Sequence, residues 1–219
     1  MHIDIVSDVI CPWCFIGKRR LERALALRPE LPPEITWRPF QLNPDMPAEG
    51  IDRRAYLAAK FGGGGHAERI YANVGEAGAT VDIRFAFDRI RRTPNTRDAH
   101  RLIRYAACDG RADALVEALF QAYFLDGRDI GDRATLAAIA GEVGLEAGNA
   151  GDWLASPAEL EQVLAEDRSA RRIGINAVPC FIFEQQYAVS GAQEPEFFLP
   201  VFDLVQNGGE NRPEPAKMA

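Results

Sequence analysis

The sequence of 219 residues predicts an α/β protein in which a large all-helical insertion separates an N-terminal βαβ unit from a C-terminal ββα unit. Three observations predict this arrangement. A strand-turn-helix-strand pattern opens the chain, Ala-rich helical segments fill residues 46–173, and an apolar hairpin followed by a helix closes it. We therefore expect a discontinuous domain formed by residues 1–45 and 174–219, with residues 46–173 as an inserted helical domain.

The N-terminal unit begins with a short buried strand that leads directly into a helix. Ile3, Ile5 and Val6 supply the apolar positions of this strand. The helix that follows has an apolar face and stops before Pro29. Residues 34–40 then alternate in polarity as a second strand, which completes the βαβ unit.

Glycine and proline residues divide the insertion into helical segments. These breaks fall at residues 62–65, 93–95, 126–127 and 156–157. One helix start is well marked, because Ser156 is a good N-cap, Pro157 suits the first helical position and Glu159 the third. The sequence therefore predicts a helix that begins at Pro157.

The C-terminal unit combines a hairpin with a final helix. An apolar run at residues 180–183 and its partner at residues 187–189 predict the two strands. A helix over about residues 194–207 carries aromatic and aliphatic side chains at helical spacing. The Asn207-Gly208-Gly209 sequence predicts its end.

Composition and charge exclude several classes of function. The net charge of −7 and the pI near 5.1 disfavour binding to nucleic acids and to anionic membranes. The N-terminus lacks the pattern of a secretory signal, and no stretch of 18 apolar residues occurs, so we expect a cytoplasmic protein without a membrane partner. In a reducing compartment, a close cysteine pair favours catalysis or metal binding over a structural disulfide.

The chemistry of the chain is concentrated in the Cys11-Pro12-Trp13-Cys14 quartet. With Cys11 as N-cap, its sulfur lies beside the unpaired N–H groups of the first helical turn, which stabilise a thiolate. Pro12 suits the first helical position. Cys14 lies inside the first turn, shielded, as the resolving thiol. Trp13 carries no positive charge, so we expect a weaker oxidant than a pair flanking histidine, and its ring offers an apolar contact for substrate.

The quartet alone leaves two other interpretations open. A zinc site needs further ligands, but the remaining histidines and cysteines form no second close pair, and we therefore expect no metal. A packed, inert cysteine pair is the other alternative.

The quartet and its surroundings resemble the DsbA-like FrnE family of thioredoxin-fold proteins. The matching segments, in the same order as in the family, are Ser7–Lys18, Trp37–Pro44, Asn95–Leu102, Gly174–Pro179 and Val189–Gln193. The resemblance spans nearly the whole chain and implies a thioredoxin fold split by a helical insertion. It also implies thiol–disulfide oxidoreductase activity.

The resemblance places Pro179 as a cis-proline that faces the active cysteines. A cis bond there would leave the Val178 backbone open to pair with an extended substrate. A trans turn proline is the alternative from sequence alone.

Four further residues receive expectations from these segments. His100 could stabilise a thiolate or pass a proton, although its segment is equally well explained by helix capping. Asn43 is a candidate substrate-binding residue. Cys180 departs from the commoner family pattern, which has an apolar aromatic residue after the proline. We expect both Cys180 and Cys108 to lie in the core.

The predicted function is dithiol–disulfide exchange with protein or small-molecule thiols and disulfides, without a tightly bound cofactor. Glutathione is a candidate co-substrate, with its cysteinyl unit at Val178 and its γ-glutamyl end near Ser190. Glutathione-dependent isomerases and transferases of the same superfamily are an alternative, but they typically place serine at the position of Cys11. A holdase that binds through an apolar groove around Trp13 is a third class.

Overall fold

The computed structural model describes residues 1–62 and 65–210, with side chains up to residue 207. Residues 63 and 64 of the predicted 62–65 break lie outside the described residues, as does the tail after residue 210. Within the described ranges, no helix combines the length and apolar character needed to cross a membrane. The elements of the two outer units are β1 (His2–Ser7), α1 (Pro12–Ala26), β2 (Glu34–Pro39), β5 (Cys180–Phe183), β6 (Tyr187–Ser190) and α9 (Leu199–Glu210).

The segment between these units is mainly helical. Its elements are β3 (Ile51–Asp52), α2 (Arg53–Phe61), α3 (His66–Ala79), β4 (Arg92–Thr93), α4 (Arg97–Ala107), α5 (Ala112–Phe124), α6 (Arg133–Glu142), α7 (Ala147–Ala155) and α8 (Leu160–Arg172). The segment predicted to be all-helical therefore also contains a small antiparallel pair, β3 with β4. Two-residue strands are too short to leave a periodic signal in the sequence. The domain boundaries at 45/46 and 173/174 stay a prediction.

The two outer units form one four-stranded sheet, in the order β2-β1-β5-β6. Strand β1 is parallel to β2 and antiparallel to β5, and β5 and β6 form the predicted hairpin. The predicted βαβ and ββα units are thus both present and share a sheet. The C-terminal end of β1, where α1 begins, lies in the middle of this sheet.

Alternation along the strands separates two faces of the sheet. Ile5 pairs with Phe181 on the face that packs against Gly17 of α1. On the same face, the ring of Phe181 lies 5.2 Å from that of Phe198, the residue before α9. Val6 pairs with Cys180 on the opposite face. Cys180 is therefore buried in the sheet, as predicted, with 3% of its surface exposed.

Helix α1 is also held by the insertion. Phe15 stacks on Phe120 of α5, with ring centroids 5.0 Å apart. The ammonium group of Lys18 is buried and pairs with Asp113 at 3.3 Å and with Glu117 at 3.2 Å. The helix that begins with the quartet is thus fixed between the sheet and α5.

Two predicted helix boundaries are wrong. Helix α8 begins at Leu160, because Ser156 ends α7 instead, with its hydroxyl donating to the Trp153 carbonyl at 2.7 Å. The guanidinium of Arg101 donates to the carbonyls of Ser156 and Ala158 and so stabilises a turn before α8. Helix α9 continues to residue 210, past its predicted end.

The prediction for Cys108 is also wrong. This cysteine is exposed and forms the C-cap of α4, just beyond the buried stripe of that helix. A residue at a helix end can leave the apolar face, even where the preceding periodicity continues through it.

Candidate active site

The quartet lies where β1 ends and α1 begins. The N–H of Cys11 donates to the Asp8 carbonyl at 3.0 Å, which closes a turn after β1. Cys11 is the N-cap of α1, with φ −92° and ψ 112°, and Pro12 occupies the first turn. The predicted N-cap position is confirmed. The Cys11 side chain makes no capping hydrogen bond, so its sulfur is available for chemistry beside the positive end of the helix dipole.

The two thiols of the quartet are free and lie 3.3 Å apart. Cys11 is 4% exposed and Cys14 is 1% exposed. Burial raises the pKa of the Cys14 thiol well above its ordinary value, and the hydrogen bond and charge of Cys11 add to the rise. Contacts with Ser7 and with the Asp8 backbone partly oppose it. Cys14 therefore stays protonated at neutral pH.

The loop before β5 approaches the quartet from the other half of the sheet. The Val178–Pro179 peptide bond is cis. The thiol of Cys11 donates a weak hydrogen bond to the Val178 carbonyl, with sulfur and oxygen 3.6 Å apart. A Cβ added to Gly17 of α1 would lie 2.8 Å from Cγ of Pro179, so the helix and the loop are in direct contact.

Two groups beside Cys11 are open to a substrate. Trp13 is 39% exposed, and its role as a substrate contact stays a prediction. Within the described chain, no acceptor takes a hydrogen bond from the Val178 N–H. An unpaired N–H next to the reactive sulfur can pair with the extended backbone of a bound thiol.

Ser190 lies at the end of the hairpin, close to the Pro179 loop. It is exposed and stands opposite Cys180, with its Oγ 4.0 Å from the sulfur of Cys180. The N–H of Gly191 donates to the Pro179 carbonyl at 2.8 Å. The structure therefore brings Ser190 to the same loop as Val178, whereas its role in substrate binding stays a prediction.

His100 is buried and holds the chain after β2. Its Nε2 lies 3.2 Å from the Phe40 carbonyl oxygen and 3.5 Å from Oδ1 of Asp8. Within the described chain, no hydrogen bond joins His100 to either thiol of the quartet. The contacts of His100 are therefore those of a structural residue, which was the alternative to a role at the thiols.

Asn43 belongs to the segment that His100 helps to fix. The adjacent Leu42 N–H donates to Oδ2 of Asp8 at 2.7 Å, and Asp8 is fully buried. The Asn43 carbonyl Oδ1 accepts a hydrogen bond from the Tyr56 hydroxyl at 3.0 Å. Asn43 thus connects the end of β1 to helix α2.

Arg53, the first residue of α2, is a functional candidate that the sequence analysis missed. Its guanidinium is buried and donates to the Tyr71 hydroxyl at 2.6 Å and to Oγ1 of Thr93 at 3.1 Å. Nothing in the sequence distinguishes Arg53 from the exposed Arg54 beside it. Only the packing of α2 against α3 and β4 reveals its position.

A model of the DSBA-like thioredoxin domain matches residues 2–202. The chain belongs to the DSBA-like thioredoxin domain family. A crystal structure of a probable DsbA oxidoreductase from Streptomyces coelicolor is 32% identical in sequence to this chain. The match covers 100% of this chain and 94% of the Streptomyces chain, with a TM-score of 0.86. The predicted thioredoxin fold is thereby confirmed.

Two more distant structures share the DSBA-like fold. A 2-hydroxychromene-2-carboxylate isomerase is 15% identical, with a TM-score of 0.72 over 97% of this chain and 100% of its own. The cytosolic disulfide reductase DsbM from Pseudomonas aeruginosa, solved with GSH, is 16% identical, with a TM-score of 0.63 over 96% of this chain and 98% of its own. At this identity the likeness shows the fold alone.

A metal centre is not formed by the described residues of this DSBA-like domain. Within them, no group of three or more His, Cys, Asp or Glu side chains is placed to hold an ion. The quartet itself presents two free thiols at the N-terminus of α1.

Proposed function

We propose that the protein catalyses dithiol–disulfide exchange, with Cys11 as the nucleophile and Cys14 as the resolving thiol. The observation that carries this proposal is the placement of two free thiols 3.3 Å apart at the N-terminus of α1. Family membership supports an oxidoreductase of the thiol type.

The first step is attack by the Cys11 thiolate on one sulfur of a substrate disulfide. A Cys11–substrate disulfide forms, and the second substrate sulfur leaves as a thiolate that takes up a proton. The Cys14 thiol then loses its proton and attacks the sulfur of Cys11. The bound substrate sulfur leaves, the Cys11–Cys14 disulfide forms, and two electrons have passed to the substrate. Each step is reversible, so the same site oxidises dithiols when it starts as a disulfide.

The different surroundings of the two thiols support this order. The Cys11 sulfur lies at the N-cap of α1, beside the positive end of the helix dipole, and makes no capping hydrogen bond. Burial keeps Cys14 as a thiol until Cys11 is engaged. The 3.3 Å separation places Cys14 within reach of Cys11 for the second step.

Substrate binding draws on the surface around Cys11. The unpaired Val178 N–H can pair with the backbone of a cysteine in an extended peptide, and the exposed Trp13 ring can pack against it. Proteins and small peptide thiols both have such a backbone. The structure of DsbM with GSH supports glutathione as a co-substrate, and the description of DsbM as cytosolic supports the predicted cytoplasmic location.

Insulin reduction by the wild type, Cys11→Ser and Cys14→Ser tests the proposal. We expect turnover to be lost in both variants, because each removes one of the two sulfurs that exchange requires. Cys108→Ser, which alters an exposed cysteine, is the matched control and should retain full turnover.

Unchanged turnover in Cys11→Ser would refute the exchange reaction. Glutathione-dependent isomerase activity retained in Cys11→Ser would instead assign the protein to the isomerase class. Suppression of aggregation by a variant lacking both thiols, without any turnover in the wild type, would identify a holdase.

A further inference from the structure

Arg53 is a buried cation without an acidic partner. Arg53 is 8% exposed. Within residues 1–62 and 65–210, its guanidinium makes hydrogen bonds to neutral groups but no ion pair. Its two side-chain hydrogen bonds, to Tyr71 and Thr93, use two of the five guanidinium N–H donors. Since burying an unpaired charge is costly, the remaining donors indicate a place for an anion.

The aromatic groups nearest the guanidinium of Arg53 are neutral. The guanidinium carbon lies 5.2 Å from the ring centroid of Tyr71 and 5.8 Å from that of Tyr56. Aromatic rings stabilise a cation but supply no negative charge. Asp52, the preceding residue, caps α2 by accepting from the Ala55 N–H at 3.0 Å.

A second unpaired donor belongs to the same cluster. The Nδ2 group of Asn43 is buried and has no hydrogen-bond partner among the described residues. The Oδ1 of the same amide accepts from the Tyr56 hydroxyl. Two independent features, an uncompensated guanidinium and an unsatisfied amide N–H, therefore converge around Tyr56.

A hydrogen bond from the backbone connects this cluster to the region of the quartet. The Leu42 N–H donates to the Asp8 carboxylate, which ties the residue before Asn43 to the turn that precedes Cys11. The pKa of Tyr71 is raised above its ordinary value, mainly by burial. Arg53 opposes this rise, whereas the charges of Tyr56 and Cys11 add to it. Tyr71 is thus within electrostatic range of the reactive sulfur.

We propose that Arg53, together with Asn43 and Tyr71, binds a carboxylate of the thiol or disulfide substrate that reacts at Cys11. This inference rests on the proposed exchange reaction and adds a substrate class to it, namely thiols that carry a carboxylate. The guanidinium supplies charge-assisted hydrogen bonds, and the Asn43 amide supplies a neutral one. The carboxylate remains unchanged while the sulfur is exchanged.

The experiment uses Cys14→Ser protein, in which the mixed disulfide at Cys11 accumulates. Its rate of formation is measured by mass spectrometry with oxidised glutathione, with the disulfide of glutathione ethyl ester and with 2-hydroxyethyl disulfide. The ester lacks the glycine carboxylate, which is the one assigned to Arg53 because the γ-glutamyl end is expected near Ser190. The third disulfide, 2-hydroxyethyl disulfide, carries no charge. We expect oxidised glutathione to react about tenfold faster than its ester. This ratio corresponds to the free energy of one hydrogen bond to a charged group.

Arg53→Gln is compared with Arg54→Gln in the same background. Both remove one positive charge from α2, but Arg54 is exposed. We expect Arg53→Gln to lower the rate with oxidised glutathione far more than the rate with 2-hydroxyethyl disulfide, so that the preference for oxidised glutathione is lost. Arg54→Gln should retain the preference.

Arg53→Gln is assessed for folding by circular dichroism, because the residue is buried. Should it fail to fold, S-methylglutathione supplies the test with Arg53 intact. This thioether cannot exchange but carries the carboxylates, so it should slow the reaction of oxidised glutathione, whereas its ethyl ester should not.

Equal rates for oxidised glutathione and its ester, or a preference that survives Arg53→Gln, would overturn the inference. Failure of all three disulfides to form a mixed disulfide would instead refute the exchange reaction itself. Insulin turnover distinguishes the source of the carboxylate. A decrease in Arg53→Gln indicates carboxylates of protein substrates, and unchanged insulin turnover indicates those of small thiols.

Discussion

Cys14 couples the chemistry of the site to the stability of the fold. Burial raises its pKa above that of a thiol in the unfolded chain, which is about 8.5. Below that pH both states are protonated. As the pH rises above it, the unfolded chain loses the proton while folded Cys14 keeps it, so the folded state binds more protons. We therefore predict that the free energy of unfolding falls with rising pH, by at most about 1.4 kcal/mol per pH unit from this group.

Urea unfolding between about pH 7 and pH 10 measures this effect. The Cys14→Ser variant should show a shallower fall than the wild type, and the exposed Cys108→Ser should match the wild type. Burial also raises the pKa values of Tyr71 and Cys180, so some fall remains in every variant. Identical pH profiles for wild type and Cys14→Ser would contradict the assigned environment of Cys14.

The contact between helix α1 and the Pro179 loop depends on Gly17, which has no side chain. In Gly17→Ala, the new Cβ would lie 2.8 Å from Cγ of Pro179 and 3.1 Å from Cζ of Phe181. The helix or the loop must then shift. We predict a loss of about 1–3 kcal/mol in the free energy of unfolding, typical of an overpacked contact, and slower alkylation of Cys11.

Gly75→Ala is the matched control for this substitution. Gly75 lies within helix α3, and a Cβ there would meet nothing within 4 Å. Alanine should leave stability unchanged or raise it by up to about 1 kcal/mol, because it favours the helix. The packing explanation fails if urea unfolding gives the same change for both variants.

At the scale of elements, the sequence predicted what local patterns determine. The alternation in β1 and β2, the hairpin of β5 and β6 and the helix start at Cys11 are all local, and all are present. The start of α8 was missed, because Arg101 of α4 stabilises a turn that competes with the capping sequence at Ser156. Such long-range hydrogen bonds leave no mark in a local pattern.

Across the whole molecule, the site is assembled from both outer units and the insertion. The quartet could be recognised from sequence because its residues are adjacent. The contacts of the segment after β2 could not be predicted from sequence, because its backbone carbonyls and N–H groups bind side chains that are distant along the chain. The Gln41 N–H donates to Asp167 at 2.8 Å, and Asn95 donates to the Met46 carbonyl at 2.7 Å. Arg53 was missed for the same reason.

This assembly also explains why the position of Cys11 is so well defined. Helix α1 packs against the sheet on one side and against α5 on the other, where Phe15 stacks on Phe120. The turn before Cys11 is tied to the Asn43 segment through Asp8. A nucleophile held in this way loses little freedom on reaching the transition state of exchange.

Peptide mapping of the mixed disulfide is the most direct test of the central claim that Cys11 is the nucleophile. Cys14→Ser protein is incubated with oxidised glutathione, digested without reductant and analysed by mass spectrometry. We predict that glutathione is bound to Cys11, before any adduct on Cys108 or Cys180, and that reduced Cys11→Ser protein forms no adduct at Cys14 under the same conditions. An adduct confined to Cys108 or Cys180, with Cys11 unmodified, would contradict the account.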